Sequence, residues 1–206
     1  MSMESAHRVA TIFESPEKAK YREIVADILQ GSRDPYRFAV AYLGGPEAQD
    51  AKSYLKRGIL PENQFYIERD KATFDMAKRQ HHIKGINMIH DSAANAFDKI
   101  ARDHGRKLAA ANLDFCGYLT ESMFDEIAHC MKSGAFQKRF RIAITFGGSR
   151  DKHGAALAWE YFDGDRIALL HHGIAHMTGF NVRKIWRGEY QSNLTPMKYV
   201  IFQVSQ

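Results

Sequence analysis

The chain has 206 residues, 45% of them hydrophobic, an ordinary globular composition with enough apolar mass for the core of one domain. Its formal charge of +5 and pI near 9.1 favour contact with polyanions. No apolar run approaches the roughly eighteen residues of a membrane span, and two cysteines, Cys116 and Cys130, exclude a disulfide framework, so a cytoplasmic protein with free thiols is expected.

Ser15 to Gln30 predicts an amphipathic helix, with a Ser start, Pro16 at the first helical position and apolar Ile24, Val25, Ile28 and Leu29 on one side; Gly31 can end it. Arg37 to Leu43 (RFAVAYL) reads as a strand, Gly44, Gly45 and Pro46 as a turn, and Glu47 to Arg57 as a helix closed by Gly58. The strand Gln64 to Glu68 follows and runs into Arg69 and Asp70. Together these make a βαβ unit of about thirty residues. A glycine turn that opens a helix brings backbone N–H groups close to a ligand. An acidic residue about twenty positions on can accept bonds from ribose hydroxyls, so the unit suits a nucleoside.

The alternation continues with a helix from Lys71 to about His82, a strand from Gly85 to Asp91, and a helix from Ser92 to about His104. Lys107 to Asp114 is the fourth strand, Leu119 to Ser133 a helix, and Phe140 to Phe146 (FRIAITF) a strand whose β-branched and aromatic run suits burial in a parallel sheet. Gly147 to Gly154 is a polar loop. Ala155 to about Met177 is helical in part, broken at Phe162 to Asp165, and Gly179 to Glu189 with Met197 to Val204 forms a closing hairpin. Five strands alternating with helices predict a three-layer, doubly wound α/β fold, with residues 1–35 as a helical extension and 36–206 as the domain.

This order resembles that of the class I S-adenosylmethionine-dependent methyltransferases, whose Rossmann-like, mostly parallel seven-stranded sheet ends in a β-hairpin. The resemblance covers about residues 36–206. The family's glycine-rich motif falls on Leu43, Gly44 and Gly45, and the acidic end of its second strand on Glu68. Its third-strand acidic position falls on Asp91 with Ser92, and its fourth-strand motif on LDFCGYL, with Asp114, Phe115, Cys116 and Gly117. The resemblance implies S-adenosylmethionine as cofactor, held by Gly44, Gly45, Glu68, Asp91 and Ser92, with Phe115 stacking on its adenine or on a flipped base. It places Asp114 at the acceptor as the catalytic residue, able to orient an amine or hydroxyl and take its proton.

Each of these residues also has a plainer reading. Gly44 and Gly45 can simply make a tight turn that needs positive φ. Asp70 suits the cap of the helix beginning at Lys71, which favours Glu68 as the ribose ligand, and Asp91 or Ser92 can cap the next helix. Cys116 suits a small core hydrophobe better than a nucleophile. His172 and His176 lie four apart, but no intervening Glu or nearby Cys completes a zinc set, and no metal is expected.

Arg139, Arg141, Arg150, Lys152, Arg183, Lys184 and Arg187 gather in the C-terminal half, interleaved with Trp159, Tyr161 and Trp186. Cations that neutralise phosphates and aromatics that stack bases would make a nucleic-acid surface, and a solvated face with core tryptophans is the plainer alternative. Arg150 and Lys152, in the loop after the fifth strand, join Cys116 and Gly117 as candidate substrate contacts. The expectation is thus a methyltransferase acting on a nucleic acid, RNA in particular. One alternative is a degenerate methyltransferase-like domain that binds nucleic acid or protein, which a single glycine pair would explain. Another nucleotide-binding enzyme would need a phosphate site, and the chain has neither a P-loop nor GxGxxG.

Overall fold

The computed structural model describes residues 15–147, 160–192 and 196–206. Helix α1 (Pro16–Gln30) starts as its sequence dictates: the Ser15 side chain accepts from Lys18 N, and Gly31, at φ 58°, lets the chain leave the helix. Strand β1 (Val40–Leu43) is shorter than the apolar run around it, because its ladders with both neighbours begin at Val40. Helix α2 (Gln49–Lys56) begins after Pro46 rather than at Glu47. Strand β2 (Gln64–Glu68) leads into α3 (Lys71–Ala77), capped as expected by Asp70, whose side chain accepts from Thr73 N. This helix stops short of His82, which lies in a separate 3-10 turn with its ring against the carbonyl of Ala48.

Strand β3 (Asn87–His90), helix α4 (Ala93–Asp103), strand β4 (Leu108–Tyr118), helix α5 (Glu121–Lys132) and strand β5 (Phe136–Gly147) continue the alternation. Helix α6 (Arg166–Thr178), capped by Asp165, precedes β6 (Asn181–Gln191) and β7 (Pro196–Ser205). The fourth strand outruns its expected end at Asp114 by a bulged stretch that regains the ladder where Tyr118 pairs with Gly147.

The seven strands form one sheet in the order β3-β2-β1-β4-β5-β7-β6, parallel from β1 to β5 and antiparallel at β7, as expected of the doubly wound fold with a final hairpin. One face packs Phe97, Ile127, Phe140, Ile142 and Ile174 into a core shared with α4, α5 and α6. The other carries Tyr42, Tyr66 and Ile201 beneath α1, α2 and α3, whose Val25, Tyr54 and Phe74 pack onto them. Two buried apolar layers about one parallel sheet explain why its central strands read as continuous hydrophobic runs. Helix α1 packs on α2 and lies across β4, β5, β6 and β7. Arg57 ties it to α2, donating to Asp27 Oδ1 and Glu23 Oε2 at 2.7 Å each.

Candidate active site

In a parallel sheet of this winding, ligands meet the carboxyl ends of the strands where the order reverses, here between β1 and β4. The fold brings Gly44, Gly45, Glu68 and Asp91 to that edge, at the ends of β1, β2 and β3, and sets Asp114 in β4 just before its bulge. The Gly44–Ala48 turn is organised about the carbonyl of Gly45, which accepts from Tyr66 Oη and from Ala48 N, both at 2.9 Å. Neither glycine has a positive φ; the left-handed residue of the turn is Ala48, at φ 46°.

The two glycines differ in what surrounds them. A methyl group on Gly44 would lie 2.6 Å from Tyr66 Cδ2 and closer still to Cε2 and Cζ of that ring, whereas one on Gly45 would meet nothing within 4 Å among the described residues. Gly44 is thus small because the buried Tyr66 ring lies on it. Gly45 leaves open space, as a backbone approached by a ligand would.

Glu68 accepts from Asp70 N at 2.7 Å. Burial raises its carboxyl above the ordinary range, and the nearby charge of Asp70 adds to the rise, while the facing backbone N–H groups of Asp70 and Arg69 oppose it. A carboxyl raised in the folded state binds more protons than in the unfolded chain, so stability falls as pH climbs from its ordinary value through its raised one. Glu68→Gln should therefore raise the melting temperature at pH 7, with the gain vanishing near pH 4, while weakening donor binding at least tenfold; melts at both pH values and a titration with S-adenosylhomocysteine check both halves. A variant that melts lower at pH 7 would show that the carboxylate stabilises the turn instead.

Asp91 is committed within the chain. One oxygen accepts from Ser92 N and Asn95 Nδ2 at 2.9 Å each, and the other pairs with Lys99 Nζ at 2.6 Å. The Lys99 and Asn95 bonds hold its carboxyl down at about 2. Ser92 caps α4 through its contact with Asn95 N. Phe115 is half-buried against the core on the α4–α6 side, and a methyl on Gly117 would press to 3.3 Å on the Phe115 carbonyl. Arg150, Lys152 and the Cys116 side chain lie outside the described residues.

Asp114 points to the α1 side, where its Oδ2 meets Lys18 Nζ at 3.0 Å with both side chains largely buried, 13% and 14% exposed. A polar string continues inward from this pair. The hydroxyls of Tyr21 and Thr145 bond to each other, and burial, then the charge of Asp114, raises the Tyr21 phenol. Asp50, in the first turn of α2, pairs with Arg22 Nε at 3.5 Å and accepts from Asn112 Nδ2 at 3.1 Å. Nothing in the spacing of Lys18 or Tyr21 announces this role; an asparagine among alanines in β4 was the one visible signal. Of the histidines, His172 and His176 stack at 6.3 Å, and among the described residues no three potential ligands converge on a metal position.

No protein-family model and no curated protein matches the chain. Solved structures do match it. Magnesium protoporphyrin IX methyltransferase from Synechocystis, with bound SAH, shares 14% identity at a TM-score of 0.62, over 92% of this chain and 84% of that one. The methyltransferase domain of bacterial CtHen1 shares 13% at 0.61, over 92% and 99%. A spermidine synthase bound to a transition-state analogue shares 13% at 0.58, over 91% and 59%. The chain has the fold of the class I S-adenosylmethionine-dependent methyltransferases along nearly its whole length. Fold alone does not name the group transferred or its acceptor. Among the described residues no helix is long and apolar enough to cross a membrane.

Proposed function

We propose that the chain is an S-adenosylmethionine-dependent methyltransferase whose acceptor is a nucleic acid, RNA in particular. The observation that carries this reading is the pairing of an open backbone at Gly45 with a desolvated carboxylate at Glu68, on adjacent strand ends of a methyltransferase fold. These residues fit the donor: Glu68 would accept its ribose hydroxyls, and Gly45 would admit its amino-acid end, with Ser92 and Phe115 toward its base. When bound, the donor supplies an electrophilic methyl group. Asp114 would orient the acceptor atom and take its proton, with Lys18 holding the carboxylate until the acceptor displaces it. Helix α1, within the extension of residues 1–35, would then act as a cap, since it delivers Lys18 to that edge.

A melting series with S-adenosylmethionine, S-adenosylhomocysteine, NAD and ATP tests the donor. A ligand at a hundred times its dissociation constant stabilises the native state by about 2.7 kcal/mol, or roughly 5–10 °C for a chain of this size. A rise with the two methyl-cycle ligands and not with NAD or ATP is expected; no rise with either would overturn the reading. One observation favours the second reading, a binding module on the same fold. Asp91 already satisfies Ser92, Asn95 and Lys99, and would have to give up a bond to take the adenine amino group.

A further inference from the structure

Away from the strand ends that carry Gly45 and Glu68, the sheet has a second polar region on its α1 side. Strand register places Arg139 beside Ser205, and Ser205 beside Asn181; the next row is Arg141, Gln203 and Arg183. The neighbours that alternate with them, Phe140, Ile142, Val182, Phe202 and Val204, belong to the opposite core, so both rows face the α1 side. The residues that share that face, Ala143 and Ile201, lie beneath the helices. Trp186, 39% exposed, pairs with Ile201 and continues the surface along β6.

Arg33 closes this corner from the end of α1, donating to the carbonyls of Leu29 and Gln30 at 3.0 and 3.3 Å. Arg141 donates to the carbonyl of Ile28 and to Gln203 Oε1. Among the described residues no carboxylate forms an ion pair with Arg33, Arg139, Arg141 or Arg183. Burial, then the charges of Arg141 and Arg139, depress the Arg33 guanidinium, as expected of cations crowded together without a counter-ion. The helix-end carbonyls answer Arg33 and Arg141. Arg139 and Arg183 keep their forks toward solvent, on either side of Gln203 and Ser205.

We propose that this corner of the sheet is a docking surface for single-stranded RNA, with Arg139 and Arg183 on successive phosphates and Trp186 stacked on a base. Charge complementarity selects a polyanion, since four guanidiniums gather there and, among the described residues, no carboxylate pairs with any of them. The exposed indole selects one with flat bases, and Asn181 and Ser205, set between the arginines, offer hydrogen bonds to ribose hydroxyls. The surface lies toward the opposite, amino ends of the parallel strands, across the α1 side of the sheet from the carboxyl ends at which methyl transfer is proposed. Arg139 is six residues before Thr145, which pairs with Asp114, so it stands about 20 Å from the acceptor position. Helix α1 covers the sheet between them, with Tyr21 on Thr145 and the Ile28 carbonyl on Arg141, so an RNA strand joining the two runs around that helix. The inference rests on the RNA reading of the acceptor and adds where that strand is held.

The test is fluorescence anisotropy with a labelled decauridylate and no methyl donor. Arg139→Gln with Arg183→Gln should weaken binding at least tenfold near 0.1 M salt and lower the slope of log K against log salt by about 1.4. Trp186→Ala should weaken it about tenfold with the slope unchanged. Lys184→Gln with Arg187→Gln, whose register partners Phe202 and Val200 belong to the other face, should change binding less than threefold. If wild type binds and the double arginine variant binds with the same affinity and slope, this surface is overturned and the RNA reading of the acceptor stands. If wild type fails to bind at low salt, both fall. An acidic peptide bound as tightly, with no dependence on Trp186, would replace RNA as the occupant.

Discussion

Gly44→Ala should destabilise the chain by about 3 kcal/mol, lowering its melting temperature by roughly 6–12 °C, while Gly45→Ala should leave stability within about 0.5 kcal/mol of wild type. The added methyl at residue 44 overlaps the ring of Tyr66, which is fully buried and anchored by its bond to the Gly45 carbonyl. The ring cannot swing away without breaking that bond or opening the turn. Because the two groups share one space, Gly44→Ala with Tyr66→Ala should be less unstable than the sum of the single changes. At residue 45 the methyl meets no atom of the described residues within 4 Å. There the cost should fall on ligand: S-adenosylhomocysteine should bind at least tenfold more weakly to Gly45→Ala. Denaturant melts and calorimetric titration read the two effects separately. Unchanged ligand affinity in Gly45→Ala would remove that backbone from the site.

Asp114→Ala should lose about 2–3 kcal/mol, below the range for a fully buried pair because some solvent reaches both side chains. The loss arises from removing the carboxylate that Lys18 Nζ meets at 3.0 Å in this largely buried pair. Lys18→Met with Asp114→Leu, which removes both charges and keeps apolar bulk, should recover most of it. Function would separate from stability in the milder Asp114→Asn. This change keeps the shape and removes the proton acceptor, so turnover should fall at least a hundredfold while affinity for S-adenosylhomocysteine stays within twofold. Wild-type turnover in Asp114→Asn would leave Asp114 a structural partner of α1 and nothing more.

The fold was legible where signals are local. Ser15, Pro16 and Gly31 bound α1 as read, because caps are written in neighbouring residues, and β2 has the limits its apolar run implies. The end of β4 was not legible. Its continuation past Asp114 depends on a partner across the sheet, Gly147, and a bulge hides the register. The candidate site divides in the same way. Strand ends announced Glu68, Asp91 and Asp114, since the winding of a parallel sheet dictates which ends face ligand. What each carboxylate binds was invisible: Lys18 reaches Asp114 from a separate helix, and Lys99 reaches Asp91 from two turns away. The glycine turn misled for a third reason. Its strained residue is Ala48, and the demand for a glycine at 44 comes from Tyr66, on the neighbouring strand. Arg33, outside the run of C-terminal basic residues, joins their cluster only because α1 ends beside β5.

The sheet finishes very differently at its two sides. On one side β3 is only four residues long, too short to template another chain. On the other, β6 runs for eleven residues with an outer row of N–H and C=O groups, the kind of border along which sheets of separate molecules can fuse. Here a register break between Lys184 and Trp186 bends that border, and Arg183, Lys184 and Arg187 charge it. A second copy approaching edge to edge would meet like charge on a kinked line. The features that interrupt β6 thus keep the sheet finite, and they let a long, partly bare strand stay at the surface without seeding aggregation.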